Sequence, residues 1–192
     1  MALSILPSHA GHLRLPVAPR LALVFCFALL TVSCALASLA LACATPFAAF
    51  AVLAAAMLPL RPALLVVTGA WLVNQSIGFG ALNYHIDGNT ITWGFVIGAA
   101  AVLSTLAASA VLRMLPQGRM PLMLAMTLFA AYAAYELVLL AAVPFLGGEG
   151  AFTAAIVTRI GLTSAAWLAA LVAVCEIVRL ADPLGRKSAM SA

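Results

Sequence analysis

Charged residues are scarce in this sequence of 192 residues, because Asp, Glu, Lys and Arg together account for 7% of it and apolar residues for 66%. A soluble domain is about a quarter charged and about half apolar. The shortage of charge excludes a soluble enzyme, a disordered chain and a nucleic-acid-binding domain. The formal net charge of +4 therefore does not indicate a nucleic-acid partner, and the composition is that of a protein embedded in a lipid bilayer.

Motifs that carry chemistry are missing as well. The sequence contains no phosphate-binding P-loop, no Cys-x-x-Cys and no His-x-x-x-His pattern. Its four cysteines lie in apolar stretches, which is typical of small packing residues. No histidine falls within an apolar stretch, so a Ser or Cys nucleophile there would have no base. We therefore expect neither an enzyme nor a resident cofactor.

Long apolar runs dominate the sequence and divide at Pro, Gly and charged residues. A bilayer core about 30 Å thick requires about 20 apolar residues per helix. The candidate spans are 21–43, 46–60, 63–82, 91–113, 120–145 and 152–178. The second is short, and we expect it to be tilted, kinked or partly re-entrant where other helices shield it. The predicted fold class is all-α, a polytopic membrane bundle of six transmembrane helices.

Basic residues mark one side of this bundle. Eight of the nine Lys and Arg residues fall in the tails or in alternate connections: Arg14, Arg20, Arg61, Arg113, Arg119, Arg179, Arg186 and Lys187. The connections near Thr45, at 83–90 and at 147–150 contain none. Since cytoplasmic loops are enriched in Lys and Arg, both termini are predicted to be cytoplasmic. The domains are then a cytoplasmic tail over 1–20, a transmembrane domain over 21–180 and a second tail over 181–192.

Residues 1–44 also allow another interpretation, a cleaved signal peptide. Ala35-Leu36-Ala37 and Ala42-Cys43-Ala44 have the small residues of a cleavage site. The apolar run before Ala44 is longer than the core of a usual signal peptide, which favours a retained first span. Both interpretations stay open.

Polar side chains inside the spans are the main functional signal, because ionisable groups in a membrane are costly and mark pathways or binding sites. At 1.5 Å per residue, Glu136 in the fifth span lies about 13 Å below the predicted external end, and Arg159 in the sixth about 11 Å below it. Asn74 in the third span, followed by Gln75, lies at about 12 Å. Three spans thus place hydrogen-bonding groups at one level in the external half.

Aromatic residues accompany these polar groups. Trp71 shares a helix face with Asn74, and Tyr135 directly precedes Glu136. A few convergent polar groups with aromatic walls are typical of a small-molecule site. The alternative is a structural salt bridge between Glu136 and Arg159, with Asn74 joining helices.

The connection after the third span contains the third candidate feature. His85 is the only histidine on this side, and a neutral imidazole is a common metal ligand. Tyr84 and Trp93 flank it and are candidate substrate contacts. The alternative is an ordinary connection, because Asp87-Gly88-Asn89 is a strong turn sequence and aromatic residues are enriched at membrane interfaces.

Six spans within 192 residues, with a polar level open to the outside, resemble the substrate-binding S-component of an energy-coupling-factor transporter. His85-Ile86-Asp87-Gly88 is similar to the His-Ile-x-Asp-Gly stretch of cobalt and nickel S-components. The segment from Trp71 to Trp93 resembles part of small bacterial cobalt or cobalamin uptake proteins.

This resemblance implies an inner-membrane protein of bacteria that takes up cobalamin or cobalt ion, with His85 as the metal ligand. The substrate would contact Tyr84 and Trp93 and rest above the polar level. The energy would come from a partner ATPase module with its coupling subunit or from an ion gradient, because the chain has no P-loop. The alternative function is a non-catalytic accessory or assembly subunit of a membrane complex.

Overall fold

Helices account for nearly all of the structure, a computed structural model that describes residues 17, 21–41, 44–115 and 120–181. No strand occurs among these residues. The helices are α1 (Ala22–Leu41), α2 (Phe47–Met57), α3 (Leu60–Gly80), α4 (Gly88–Met114), α5 (Met120–Leu146) and α6 (Ala154–Ala181), with a short 3-10 helix (Glu149–Phe152) before α6. Five of the six are long and apolar enough to cross a membrane. The all-α prediction is confirmed, while the predicted tails, 1–20 and 181–192, lie almost entirely outside the described residues.

The short helix α2 forms the centre of the bundle. All 11 of its residues are buried, and it contacts α1, α3, α4, α5 and α6. At 1.5 Å per residue it is about 16 Å long, roughly half the thickness of a bilayer core. A helix that is apolar on every side must be buried on every side. The expectation that the second segment is short and shielded by other helices is thus confirmed.

The five long helices surround α2 unequally. The seam between α4 and α5 is extensive, and Ser104 Oγ on α4 donates to Ala131 O on α5 at 2.9 Å. Helix α6 contacts mainly α2. Its links to the neighbouring long helices include the hydroxyl of Tyr132 on α5, which donates to Val157 O at 2.6 Å, and Trp167 Nε1, which donates to Ser33 Oγ on α1 at 2.7 Å. Most of the α6 surface therefore faces outward.

The N-cap residue Asp87 fixes the start of α4. Asp87 Oδ1 accepts a hydrogen bond from Thr90 N at 2.8 Å, which satisfies one of the free N–H groups of the first turn. This hydrogen bond is the main reason that the pKa of Asp87 lies below its usual range. The cap also explains why α4 begins at Gly88, three residues before the predicted span.

Candidate functional site

A partly enclosed cavity of about 100 Å³ lies where α3 ends and α4 begins, above the first residue of α2. This end of the bundle carries the Lys- and Arg-free connection that the sequence predicts to be external. The cavity is lined by uncharged residues: Phe47, Asn74, Gln75, Phe79, Tyr84, Thr90, Trp93, Gly94 and Ile97. Four of the predicted substrate-binding residues are among them, namely Asn74, Gln75, Tyr84 and Trp93.

The Asn74 amide holds this part of the fold together. Its Nδ2 donates to Ser38 Oγ on α1 at 2.9 Å and to Thr45 Oγ1 before α2 at 3.0 Å. Its Oδ1 accepts a hydrogen bond from Gln75 Nε2 at 3.2 Å. Both amide N–H groups of Asn74 are therefore used within the protein, and its main role is to position its neighbours.

The side-chain amide of Gln75 does not use all of its hydrogen-bonding groups within the described part of the protein. Its Oε1 accepts no hydrogen bond within the part of the chain that the structure describes, and its Nε2 has a second N–H beyond the one given to Asn74. The oxygen lies directly over Gly94, where an added Cβ would come within 2.6 Å of it. Only glycine at position 94 leaves room for this placement, so Gln75 presents one acceptor and one donor at the cavity.

Aromatic side chains form part of the cavity wall. Tyr84 lies across Gly78, where an added Cβ would be 2.8 Å from the ring, and its N–H donates to Gly78 O at 3.0 Å. Phe79 meets the same ring edge-on, with ring centroids 6.4 Å apart. The connection is thereby folded back over the end of α3, and this contact accounts for the glycine at position 78.

Two more predicted residues lie just behind the cavity. Trp71 Nε1 donates to Gly94 O at 2.9 Å and joins α3 to α4. Tyr135 on α5 is buried and stacks against Phe47, with ring centroids 6.4 Å apart and an interplanar angle of 26°. Both therefore support residues that line the cavity.

Glu136 and Arg159 do not lie at the cavity. Glu136 sits beside Tyr132 at the seam between α5 and α6, and its Oε1 is buried without a hydrogen-bond partner among the described residues. Arg159 lies on the exposed side of α6. The salt bridge left open by the sequence is not formed within the chain, and the ion pair found in the described part links Arg179 to Glu176. The predicted polar level thus separates into Asn74 and Gln75, which line the cavity and which we call the amide cluster, and into Glu136 and Arg159, which do not line it.

His85, the predicted metal ligand, is exposed on the connection between α3 and α4. Its acidic neighbour Asp87 is occupied as the helix cap. Among residues that the structure describes, no group of three or more His, Cys, Asp or Glu side chains could hold a metal ion. His85 therefore lies near the mouth of the site, and the described residues supply no further ligands beside it.

Several lining residues were not predicted from the sequence. Thr90, Gly94 and Ile97 follow a spacing of four and three on α4, which places them on one face with Trp93 nearby. Phe79 lies one turn after Gln75 on α3. This spacing was a usable signal, whereas nothing in the sequence placed Phe47 beneath the site.

Comparison of the chain with protein-family models, with curated proteins and with solved structures finds no match. The geometry of the cavity is therefore the basis for a functional assignment. Its lining, as formed by the described residues, offers amides, hydroxyls and aromatic rings and no carboxylate, imidazole or amine. Such a set can hold a solute by hydrogen bonds and apolar contact.

Proposed function

We propose that the protein captures a small solute in the cavity between α2, α3 and α4 and serves as the substrate-binding component of a bacterial inner-membrane uptake system. The observation that carries this proposal is the unused donor and acceptor of Gln75 at an aromatic cavity. Ligand pockets are typically apolar with a few well-placed polar groups. The cavity opens at the end of the bundle that is predicted to be external, as capture from outside requires.

The lining favours an uncharged solute with both a donor and an acceptor and with a flat apolar part. Among the residues that the structure describes, no charged side chain lines the cavity, so a fully desolvated ion would find no partner in this lining. Cobalt ion and cobalamin, which the resemblance to S-components implies, are the first ligands to test. A corrin ring is far larger than about 100 Å³, so cobalamin would have to lie across the mouth, next to His85.

The proposed energy source is a partner ATPase module with its coupling subunit or an ion gradient, because the sequence has no P-loop with which the chain itself could use ATP. The chain itself is proposed to bind and not to catalyse. A binding component needs a preformed site and a stable scaffold, and the buried α2 with the amide cluster of Asn74 supplies both.

The proposal is tested by purifying the protein in mild detergent from bacterial cells supplied with cobalt and cobalamin, followed by native mass spectrometry, metal analysis and a visible spectrum. We expect one small molecule at close to one per chain. The Gln75→Leu variant should bind it about tenfold more weakly, since a lost neutral hydrogen bond at a desolvated site is worth about 1.4 kcal/mol. Ser76→Ala is the matched control, because Ser76 is exposed and bonds to Leu72 O in its own helix.

Each result has a defined meaning. Cobalt with corrinoid absorbance would identify cobalamin, and cobalt without it would identify the metal ion. If another molecule copurifies and is lost in the Gln75→Leu variant, the proposed site is supported and the substrate is that molecule. Folded protein without any small molecule would contradict solute capture and favour the accessory-subunit alternative.

A further inference from the structure

Glu136 is a carboxyl group in the interior of a membrane span. It lies on α5, about 15 Å from the end of this helix that is predicted to be external. Its Oε1 is buried and has no hydrogen-bond partner within the described part of the chain. An ionised carboxylate in such a place is costly, because burial removes its hydration. The groups around Glu136 therefore decide whether it carries a charge or a proton.

The nearest polar group is the hydroxyl of Tyr132, one turn earlier on α5, and the Glu136 carboxyl lies within hydrogen-bonding range of it. The Tyr132 hydroxyl donates to Val157 O on α6 at 2.6 Å. Val157 O is a carbonyl oxygen and can only accept, so the hydrogen between these two oxygen atoms comes from Tyr132. A phenol has a single O–H. The Tyr132 hydroxyl therefore offers Glu136 lone pairs and no hydrogen.

The position of Tyr132 against α6 depends on Gly161. An added Cβ at Gly161 would be 3.1 Å from the Tyr132 ring, which is tighter than ordinary van der Waals contact. Glycine at this position lets the ring lie against the α6 backbone, and the hydroxyl then reaches the carbonyl of Val157, one turn earlier on α6. The direction of the Tyr132 O–H bond is thus set by the packing of α5 against α6.

The helices packed against α5, which are α2, α4 and α6, bring no positive charge to Glu136 within the described ranges. Helix α2 contains no charged residue, and Arg113, the charged residue of α4, lies in the last turn at the opposite end. On α6, Glu176 and Arg179 pair with each other. Arg159 lies on the exposed side of α6 and forms no ion pair with Glu136 within the chain. The surroundings therefore favour a neutral carboxyl group.

We propose that Glu136 is a proton-binding site of the membrane domain, which holds a proton and donates it to the hydroxyl oxygen of Tyr132 while α5 and α6 are packed together. Only the protonated carboxyl has the hydrogen that this contact requires. Helix α6 contacts mainly α2, and its link to α5 includes the bond between Tyr132 and Val157. When that link opens, water reaches Glu136 and takes up the proton, which leaves a hydrated carboxylate.

A reversible proton site inside a span allows a chain without a P-loop to use a proton gradient. This consequence rests on the proposed uptake function, and it favours the ion gradient over the ATPase module as the energy source. The proton site itself does not depend on the solute. Measurements on Glu136 in the absence of solute therefore test the site even where solute capture fails.

The proton is tested by infrared spectroscopy of the full-length protein, because a neutral carboxyl group has a carbonyl band that a carboxylate lacks. Vesicles of ether lipids are used, since they contain no ester carbonyl. At neutral pH the wild-type protein should show the band, and Glu136→Gln should lose it. Glu176→Gln is the matched control and should keep the band, because Glu176 pairs with Arg179 and is expected to be ionised.

Two further variants separate the possible partners of Glu136. Tyr132→Phe removes the accepting oxygen and should keep the band at a shifted frequency, whereas Arg159→Gln should leave the band unchanged. If Tyr132 donated to a carboxylate instead, the wild-type protein would lack the band and Tyr132→Phe would gain it. If Arg159 paired with Glu136 in the bilayer, the band would appear only in Arg159→Gln. Either result would overturn the proposal.

Release of the proton is tested with dicyclohexylcarbodiimide, a lipid-soluble reagent for protonated carboxyl groups. The carboxyl proton moves to a nitrogen of the reagent, the carboxyl oxygen bonds to its central carbon, and the adduct rearranges to a stable N-acylurea, which peptide mass spectrometry locates. Labelling of Glu136 should fall about tenfold for each pH unit above the titration midpoint, because only the protonated form reacts. Labelling that does not depend on pH would overturn proton exchange. Protection by Na⁺ at constant pH would overturn the proposal by assigning the site to a metal cation.

Discussion

Phe50→Ala is expected to lower the free energy of unfolding by about 3 kcal/mol, at the low end of the range for a buried phenylalanine. Phe50 is fully buried in α2 and meets Phe47 edge-on, with ring centroids 5.8 Å apart. In a bilayer, a phenylalanine side chain outside the protein core meets apolar lipid. The lost free energy of unfolding therefore comes from the packing contacts that are missing around the void left by Phe50. The free energy of unfolding is measured by denaturation in mixed micelles with an increasing fraction of denaturing detergent.

Phe129→Ala is the matched control, because it makes the same change on the exposed surface of α5. It should alter the free energy of unfolding by about 0.5 kcal/mol or less. Equal losses in the two variants would contradict the central position of α2. A lower free energy of unfolding in Phe50→Ala alone would show that the bundle depends on packing around the short helix α2.

Asn74→Ala is expected to reduce both stability and solute affinity. The variant removes the hydrogen bonds to Ser38 and Thr45 and leaves Gln75 without its anchor. Hydrogen bonds between helices in membranes average about 0.6 kcal/mol, so the loss of the bonds to Ser38 and Thr45 should lower the free energy of unfolding by about 1 kcal/mol. Affinity should fall about a hundredfold, more than in Gln75→Leu, because the α1–α3 contact and the position of Gln75 are lost together.

The control for this variant is Asn89→Ala, which removes the same amide from an exposed position in the first turn of α4. It should leave binding unchanged. Isothermal titration of the solute identified by mass spectrometry measures the affinities. Wild-type affinity in Asn74→Ala would contradict the role of the amide cluster.

The helices could largely be predicted from the sequence, because apolar length and the position of Pro and Gly are local properties. The 11-residue α2 agrees with the prediction of a short, shielded segment, which rests on the apolar run 46–60 being too short for an ordinary span. The sequence places the start of α4 three residues late, because Asp87-Gly88-Asn89 indicates a turn and does not by itself show the capping bond of Asp87.

The site could be predicted in part. Asn74 and Gln75 were recognisable because amides are rare in apolar spans, and both line the cavity. Counting along a helix gives the depth of a residue but not the direction in which it faces. The sequence therefore does not predict that Glu136 and Arg159 lie away from the cavity, because their position around α5 and α6 depends on packing against α2, which no local pattern records.

The most direct test of the account is the sidedness of the cavity, measured with a membrane-impermeant maleimide on intact cells. In a variant without the native cysteines, Thr90→Cys places a thiol in the cavity lining, and Met114→Cys places one at the opposite end of α4. The account predicts labelling of Thr90→Cys in intact cells and of Met114→Cys only after the membrane is permeabilised. The reverse pattern would show that the cavity opens to the cytoplasm and would contradict capture from outside.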